Sequence, residues 1–166
     1  MTQAMVRDLL SQLRGRGQTL AVAESCTGGL LGGAITGVAG AGDVFLGGVV
    51  AYHDRAKRDL LGVDEAKLGR QGAVSAAVVE AMANGVRDRF GADVALAVSG
   101  VAGPTGGTRE KPVGTVWIGV LGPGPLMDAQ KFHFEGDRDD VRHEAVRKAL
   151  EMGLEAVREA EKEQVA

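Results

Sequence analysis

The residues with chemistry in them begin at Ala23-Glu24-Ser25-Cys26-Thr27-Gly28-Gly29, where two hydroxyls and a thiol occupy three consecutive positions. An apolar run, Thr19-Leu20-Ala21-Val22, precedes them, and the small-residue stretch Leu30-Leu31-Gly32-Gly33-Ala34-Ile35-Thr36 follows. This order predicts a buried strand, a turn and a closely packed helix. Such a turn points main-chain N–H groups at whatever lies beyond the sheet. Ser25 is the candidate nucleophile, and because a serine hydroxyl is inert at neutral pH it needs a base. The plain alternative is a helix N-cap, a task open to Thr27 as well. Cys26 is either a thiolate favoured by a helix N-terminus or a small buried side chain.

Three histidines are available. His53 alone falls near the end of a predicted strand, whereas His133 falls in a predicted edge strand and His143 on the last helix. Lys57 lies one helical turn beyond Tyr52, in Tyr52-His53-Asp54-Arg55-Ala56-Lys57. It acts as a base only when neutral, which requires burial or nearby positive charge to bring its pKa well below about 10.4. Spacing alone favours a solvated surface lysine. A second glycine-rich loop, Ser99-Gly100-Val101-Ala102-Gly103-Pro104-Thr105-Gly106-Gly107-Thr108, follows the apolar run Asp93–Val98. It matches neither the P-loop nor the dinucleotide fingerprint. Its bare N–H groups can cradle an anion, with Arg109 and Lys111 adding charge, or it is a compound turn. One cysteine and scattered histidines give no metal-ligand spacing, so neither metal nor cofactor is expected.

The elements that must position these groups alternate for most of the chain. Met5, Leu9, Leu10 and Leu13 recur at helical spacing in residues 2–14. Val44 to Tyr52 is β-prone and apolar on both faces, which predicts a central strand. His53 to Leu61 has a helical tendency. Val74, Val78, Met82, Val86 and Phe90 define an amphipathic helix over 74–90. Strands at Gly114–Leu121 and Ala129–Phe134, the latter at an edge, precede a final helix over 138–162. The fold expected is α/β: a single three-layer domain over residues 1–166, with a mixed, mostly parallel sheet and helices on both faces. Both glycine-rich turns would leave carboxyl ends of strands and share one cleft.

Composition narrows the classes. The 166 residues include 26 glycines and only 4% aromatics, with a formal net charge of −3. Close backbone approaches are expected rather than a core of bulky anchors. No basic stripe with interleaved aromatics suggests nucleic acid as a partner. No apolar run reaches the ~18 residues of a membrane span, and the N-terminal residues lack the pattern of a signal peptide. A cytoplasmic protein with a small-molecule partner is the expectation. The apolar faces of the terminal helices suggest a homodimer or higher homo-oligomer.

Taken together, the motifs resemble the CinA C-terminal domain family. The resemblance is carried by the Ala23–Gly29 turn, Tyr52 through Lys57, Gly72-Ala73-Val74-Ser75 and Ser99 through Pro104. Gly106-Gly107-Thr108, Lys111-Pro112-Val113-Gly114-Thr115-Val116 and Phe134-Glu135-Gly136-Asp137-Arg138 add to it. It runs in the same order from about residue 5 to residue 155. That family includes amidases that convert nicotinamide mononucleotide, a nucleotide substrate, to nicotinate mononucleotide and ammonia. The resemblance implies that Ser25 attacks the carboxamide, Lys57 is the base and Tyr52 orients the pair. It implies oxyanion support from Thr27 and the turn's N–H groups, Gly28 and Gly29 included. Gly103, Thr105, Gly106, Gly107, Thr108 and Arg138 would bind phosphate and ribose. His53, Asp54, Thr105 and Ala39-Gly40-Ala41-Gly42 depart from the usual family pattern, which leaves room for a shifted substrate preference or rate. An amidase for another small carboxamide, or an inactive nucleotide-binding module, is the alternative.

Overall fold

The computed structural model describes residues 2–165. Along the chain run α1 (Thr2–Gly15), β1 (Leu20–Glu24), α2 (Leu30–Thr36), β2 (Phe45–Val50), α3 (Asp54–Leu61) and α4 (Glu65–Gln71). They are followed by α5 (Ala76–Phe90), β3 (Val94–Gly100), β4 (Thr115–Leu121), β5 (Met127–His133) and α6 (Arg138–Val165). The sheet order is β2-β1-β3-β4-β5.

Period-2 alternation sorts the two sheet faces by size. Leu20, Val22, Val94, Leu96, Val98, Val116, Ile118 and Val120 pack under α1, α2 and α6. Ala21, Ala23, Ala95 and Ala97 face α5. The small residues let α5 lie close to the sheet, and Gly85 lets α5 lie against the end of α3. A β-carbon at Gly85 would fall 1.9 Å from the Leu61 carbonyl oxygen. Glycine-rich, aromatic-poor composition is therefore a consequence of tight layer packing.

The sheet is mixed, with helices on both faces, as the residue pattern suggests. Its pairings divide evenly rather than mostly parallel: β1 pairs with β2 and with β3 in parallel, while β3–β4 and β4–β5 are antiparallel. No helix intervenes between β3 and β5, so these strands can only meander. The Val44–Tyr52 run is an edge strand, not a central one. Its register slips between Leu20 and Ala21, skipping Leu46, so that Phe45 packs on the α1 side and Val49 on the α5 side. Both faces then carry apolar residues although Leu46 and Val50 are exposed. The apolar faces of α1 and α6 cover each other and the sheet, which removes the ground they offered for a homodimer. Among the described residues, no helix is long and apolar enough to cross a membrane.

Four strands point the same way: β1, β2 and β3 by parallel pairing, and β5 through two antiparallel steps. Their carboxyl ends therefore lie along one edge of the sheet. From that edge emerge the Ser25 turn, the Tyr52–Lys57 segment, the Val101–Thr108 loop and the start of α6.

Candidate active site

At the end of β1, Glu24 is buried, and its carboxylate answers a demand set by the helix that follows. Oε1 accepts from the N–H of Gly29 at 3.2 Å and of Leu31 at 2.8 Å, and Oε2 accepts from Gly32 at 3.0 Å. These are orphan donors of the first turn of α2, satisfied by a charged acceptor. The N-cap position falls on Gly29, which has no side chain, and the Ser25 hydroxyl lies against Lys57 and the Tyr52 carbonyl instead, so Ser25 does not cap the helix. Replacing Glu24 with alanine strands those donors in a largely buried place. We expect a loss of about 3 kcal/mol in chemical denaturation, with Glu24→Gln intermediate.

The turn itself is held from two directions. Ser25 N–H donates to Val98 O at 2.9 Å, tying the turn to β3. Arg142, reaching across from α6, donates through Nε to Cys26 O at 3.0 Å and through Nη2 to Thr27 O at 3.4 Å. Gly28 and Gly29 adopt φ of +57° and +106°, conformations that let the chain reverse into α2. A β-carbon at Gly28 would also press on Arg142 Nη2 at 3.2 Å.

Lys57 reaches this turn from α3. It is 1% exposed, and its Nζ lies 3.0 Å from Ser25 Oγ and donates to the Tyr52 carbonyl at 3.0 Å. Asp54 Oδ1 lies 3.8 Å away. Burial pushes the Lys57 pKa below the usual lysine range, and the Asp54 carboxylate opposes that shift without cancelling it. Burial thus shifts Lys57 toward the neutral form that a base beside a serine hydroxyl requires. Ser25 Oγ is also 3.4 Å from the Tyr52 carbonyl. The Tyr52 ring stands out toward solvent, and its phenol oxygen accepts from Arg138 Nη2 at 3.0 Å. Tyr52 thus meets the Ser–Lys pair through its main chain rather than its ring. Cys26 is buried, and burial raises its thiol to about 11. It is a protonated packing residue, not a thiolate.

Ser25, Cys26, Tyr52, Asp54 and Lys57 line a cleft of about 300 Å³. Its opposite wall is Ser99 to Gly103 with Thr105 and Gly106, and Arg138 stands at the rim. Arg138 Nη1 donates to Gly103 O at 2.8 Å, so one guanidinium joins the loop to Tyr52. Of the residues expected at the site, Ser25, Lys57, Tyr52, Gly103, Thr105, Gly106 and Arg138 meet here. The others do not. Thr27 is fully buried, and its hydroxyl has no partner among the described residues. Gly28 and Gly29 shape the turn from behind. Gly107 packs against Val113, where a β-carbon would meet the Val113 nitrogen at 2.8 Å, and Thr108 closes a local turn by accepting from Lys111 N–H. Lys111 donates its Nζ to Gln71 O, so it does not face the cleft, and Arg109 is exposed outside it.

His53 is settled by its own hydrogen bond: Nδ1 accepts from Arg55 N–H at 3.0 Å, capping α3. It lines a separate groove between α3 and α4. His133 and His143 bond to the carbonyls of Val113 and Asp139. Among the described residues no cluster of His, Cys, Asp and Glu could hold a metal ion.

Residue patterning passed over Glu24, Arg142, Ser99 and the inward face of α3. Glu24 closes an otherwise apolar strand, which is a signal that it has buried partners. Lys57 shares a helix face with Leu61 at i+4, which marks it as inward-facing. Arg142 gives no such signal, because its target is 116 residues away.

The CinA C-terminal domain family model matches residues 2–157. A CinA-like protein of Synechococcus is 52% identical over 147 residues, or 87% of this chain. The chain spans about a third of the length of such relatives, 35% in that case. A protein of Enterobacter agglomerans called nicotinamide-nucleotide amidohydrolase PncC is 49% identical over 142 residues, covering 86% of this chain and 87% of that protein. Among solved structures, a CinA superfamily protein of Klebsiella pneumoniae superposes with a TM-score of 0.91 at 38% identity, over 96% of this chain and 99% of that one. A competence/damage-inducible protein of Agrobacterium tumefaciens gives 0.91 at 39%, covering 95% of each chain. In sequence and in fold, this chain belongs to the CinA C-terminal domain family.

Proposed function

We propose that the chain is a metal-independent amidase that hydrolyses nicotinamide mononucleotide to nicotinate mononucleotide and ammonia. The observation that carries this reading is the buried Lys57 Nζ held 3.0 Å from Ser25 Oγ at the floor of an open cleft. The Enterobacter agglomerans relative supplies the substrate class.

In the first step Ser25 Oγ attacks the carboxamide carbon, and its proton passes to neutral Lys57 as the C–O bond forms. The carbonyl electron pair moves to oxygen. The N–H group of Cys26, which lines the cleft beside Ser25, is the donor for that oxyanion. Collapse of the tetrahedral adduct expels the amide nitrogen, which takes the proton from the Lys57 ammonium and leaves as ammonia. Water then attacks the acyl-serine, Lys57 accepting one of its protons and returning it to Ser25 Oγ as the ester bond breaks. The acid product releases its own proton to solvent as the carboxylate, leaving free Ser25 and neutral Lys57. The Tyr52 carbonyl fixes the amine throughout by accepting from it. Arg138 and the free N–H groups of Thr105 and Gly106 offer a phosphate a cation and main-chain donors.

The test is ammonia release from nicotinamide mononucleotide, nicotinamide riboside, NAD and free nicotinamide, all in the presence of chelator. The mononucleotide should turn over best. The riboside, lacking the phosphate, should lose at least about 10-fold in kcat/KM, the value of one charge-assisted contact. Saturable binding of the mononucleotide without ammonia release would overturn the reading in favour of a binding module.

A further inference from the structure

Asp54 stands in the cleft without a task in the mechanism above. Its carboxylate is 3.8 Å from Lys57 Nζ, on the first turn of α3, three residues before the lysine it faces. It lines the same cleft as Ser25. The other groups facing Lys57 are the neutral Ser25 hydroxyl, the protonated Cys26 thiol and the Tyr52 carbonyl. Ser99 on β3 is a hydroxyl engaged with Ala73 O, and Arg138 from α6 is engaged with Gly103 O and Tyr52 Oη. Glu24, on β1, turns its carboxylate into the start of α2. Among the described residues, Asp54 is thus the one carboxylate in the cleft within ion-pair distance of Lys57.

We propose that Asp54 is a positioning residue that stabilises the Lys57 ammonium formed when Ser25 attacks, so that Ser25, Lys57 and Asp54 act as a linked set. This rests on the amidase reading. Lys57 is neutral before the attack and cationic after it, so an ionised carboxylate at 3.8 Å favours the later state over the earlier one. Asp54 itself transfers no proton. The same charge carries a cost at low pH, because it also favours protonated Lys57 in the resting protein. Its side chain is 58% exposed, so salt weakens its influence.

The experiment compares wild type with Asp54→Asn, a replacement of nearly the same shape without the charge. Glu65→Gln on α4 serves as the control, since it removes a nearby exposed charge outside the cleft. In kcat against pH, the acid limb of Asp54→Asn should move to lower pH, while its alkaline plateau should fall roughly two- to five-fold. Raising the salt should move the wild-type limb the same way and leave Asp54→Asn nearly unmoved. Glu65→Gln should follow wild type. An activity-independent reading comes from NMR titration of the Lys57 side chain, its resonance assigned by loss in Lys57→Met. That titration should also move to lower pH in Asp54→Asn. An unchanged Lys57 titration, or an acid limb shared by wild type and Asp54→Asn, would overturn the proposal. A wild type that titrates as expected but hydrolyses no carboxamide would overturn the amidase reading instead.

Discussion

Ser25→Ala is expected to abolish ammonia release from nicotinamide mononucleotide, with a fall in kcat on the order of 10⁴-fold or more. Among the described residues, the removed oxygen is the only nucleophile that Lys57 Nζ touches. Water could replace it only after entering the space of the lost hydroxyl. The fold should not suffer, because the turn hangs on the Ser25 main chain, the Glu24 cap and Arg142, none of which uses the hydroxyl. Binding should survive for the same reason, since Arg138 and the Gly103–Gly106 loop are untouched. Calorimetry should therefore find a Kd for the nucleotide near the wild-type value beside a rate at background. Wild-type-like turnover in Ser25→Ala would remove serine from the mechanism. Loss of binding together with activity would make Ser25 a contact for the substrate rather than its attacker.

The chemistry of this chain was legible to different depths at its different loops. Small and glycine residues directly after apolar runs marked the Ser25 turn and the Ser99–Thr108 loop, because a strand end that must open toward a ligand needs compact residues. Their convergence followed from both strands pointing one way. The even division of parallel and antiparallel pairings was partly visible in the late meander, and the edge position of β2 was not. There the register slip at Leu46 lets apolar residues serve both faces of a strand with only one neighbour. Helix α4 went unseen because none of its residues is buried, so no apolar periodicity exists to read. Its N-cap, Asp64, accepts from Ala66 N–H at 2.9 Å and was the available signal.

The same contrast separates Ser25 from Lys57. A nucleophile announces itself by type and by the turn it occupies. The character of a base depends on what surrounds it, and the surroundings of Lys57 come from Ser25, 32 residues earlier, and from a main-chain carbonyl that carries no residue identity. Family resemblance named Lys57 as the base. What makes the role physically reasonable is burial, which is a property of how α3 seats against α5 and the end of β1. The glycines show a related split. Gly103 and Gly106 line the cleft, whereas Gly107 lets the backbone pass close to Val113 behind it and Gly28 and Gly29 reverse the chain into α2.

Lys57→Met should separate stability from catalysis. A buried lysine is poorly matched to its surroundings while charged, and methionine fills similar volume without a charge to desolvate. The folded pKa of Lys57 lies below its unfolded value of about 10.4. Between the two, the unfolded chain binds more protons, so wild-type stability falls as pH drops through that window and levels off below the folded pKa. Methionine has no such dependence. The variant should therefore gain Tm over wild type as pH falls from about 10, reaching about 1–2 kcal/mol of added stability, or roughly 2–4 °C for each kcal/mol in a chain of this size. The loss of Lys57's hydrogen bond leaves the Tyr52 carbonyl with the Ser25 hydroxyl at 3.4 Å as its remaining side-chain donor, which limits the gain without reversing its pH dependence. Activity should drop by 10²- to 10⁴-fold, the usual value of a general base. Lys57→Arg should fail as badly, because a guanidinium does not become neutral in the working pH range. In wild type, kcat should rise with pH as Lys57 sheds its proton. A wild-type rate flat across that range, or a Lys57→Met protein whose Tm tracks wild type at every pH, would show that the amine titrates elsewhere and would return the base role to solvent.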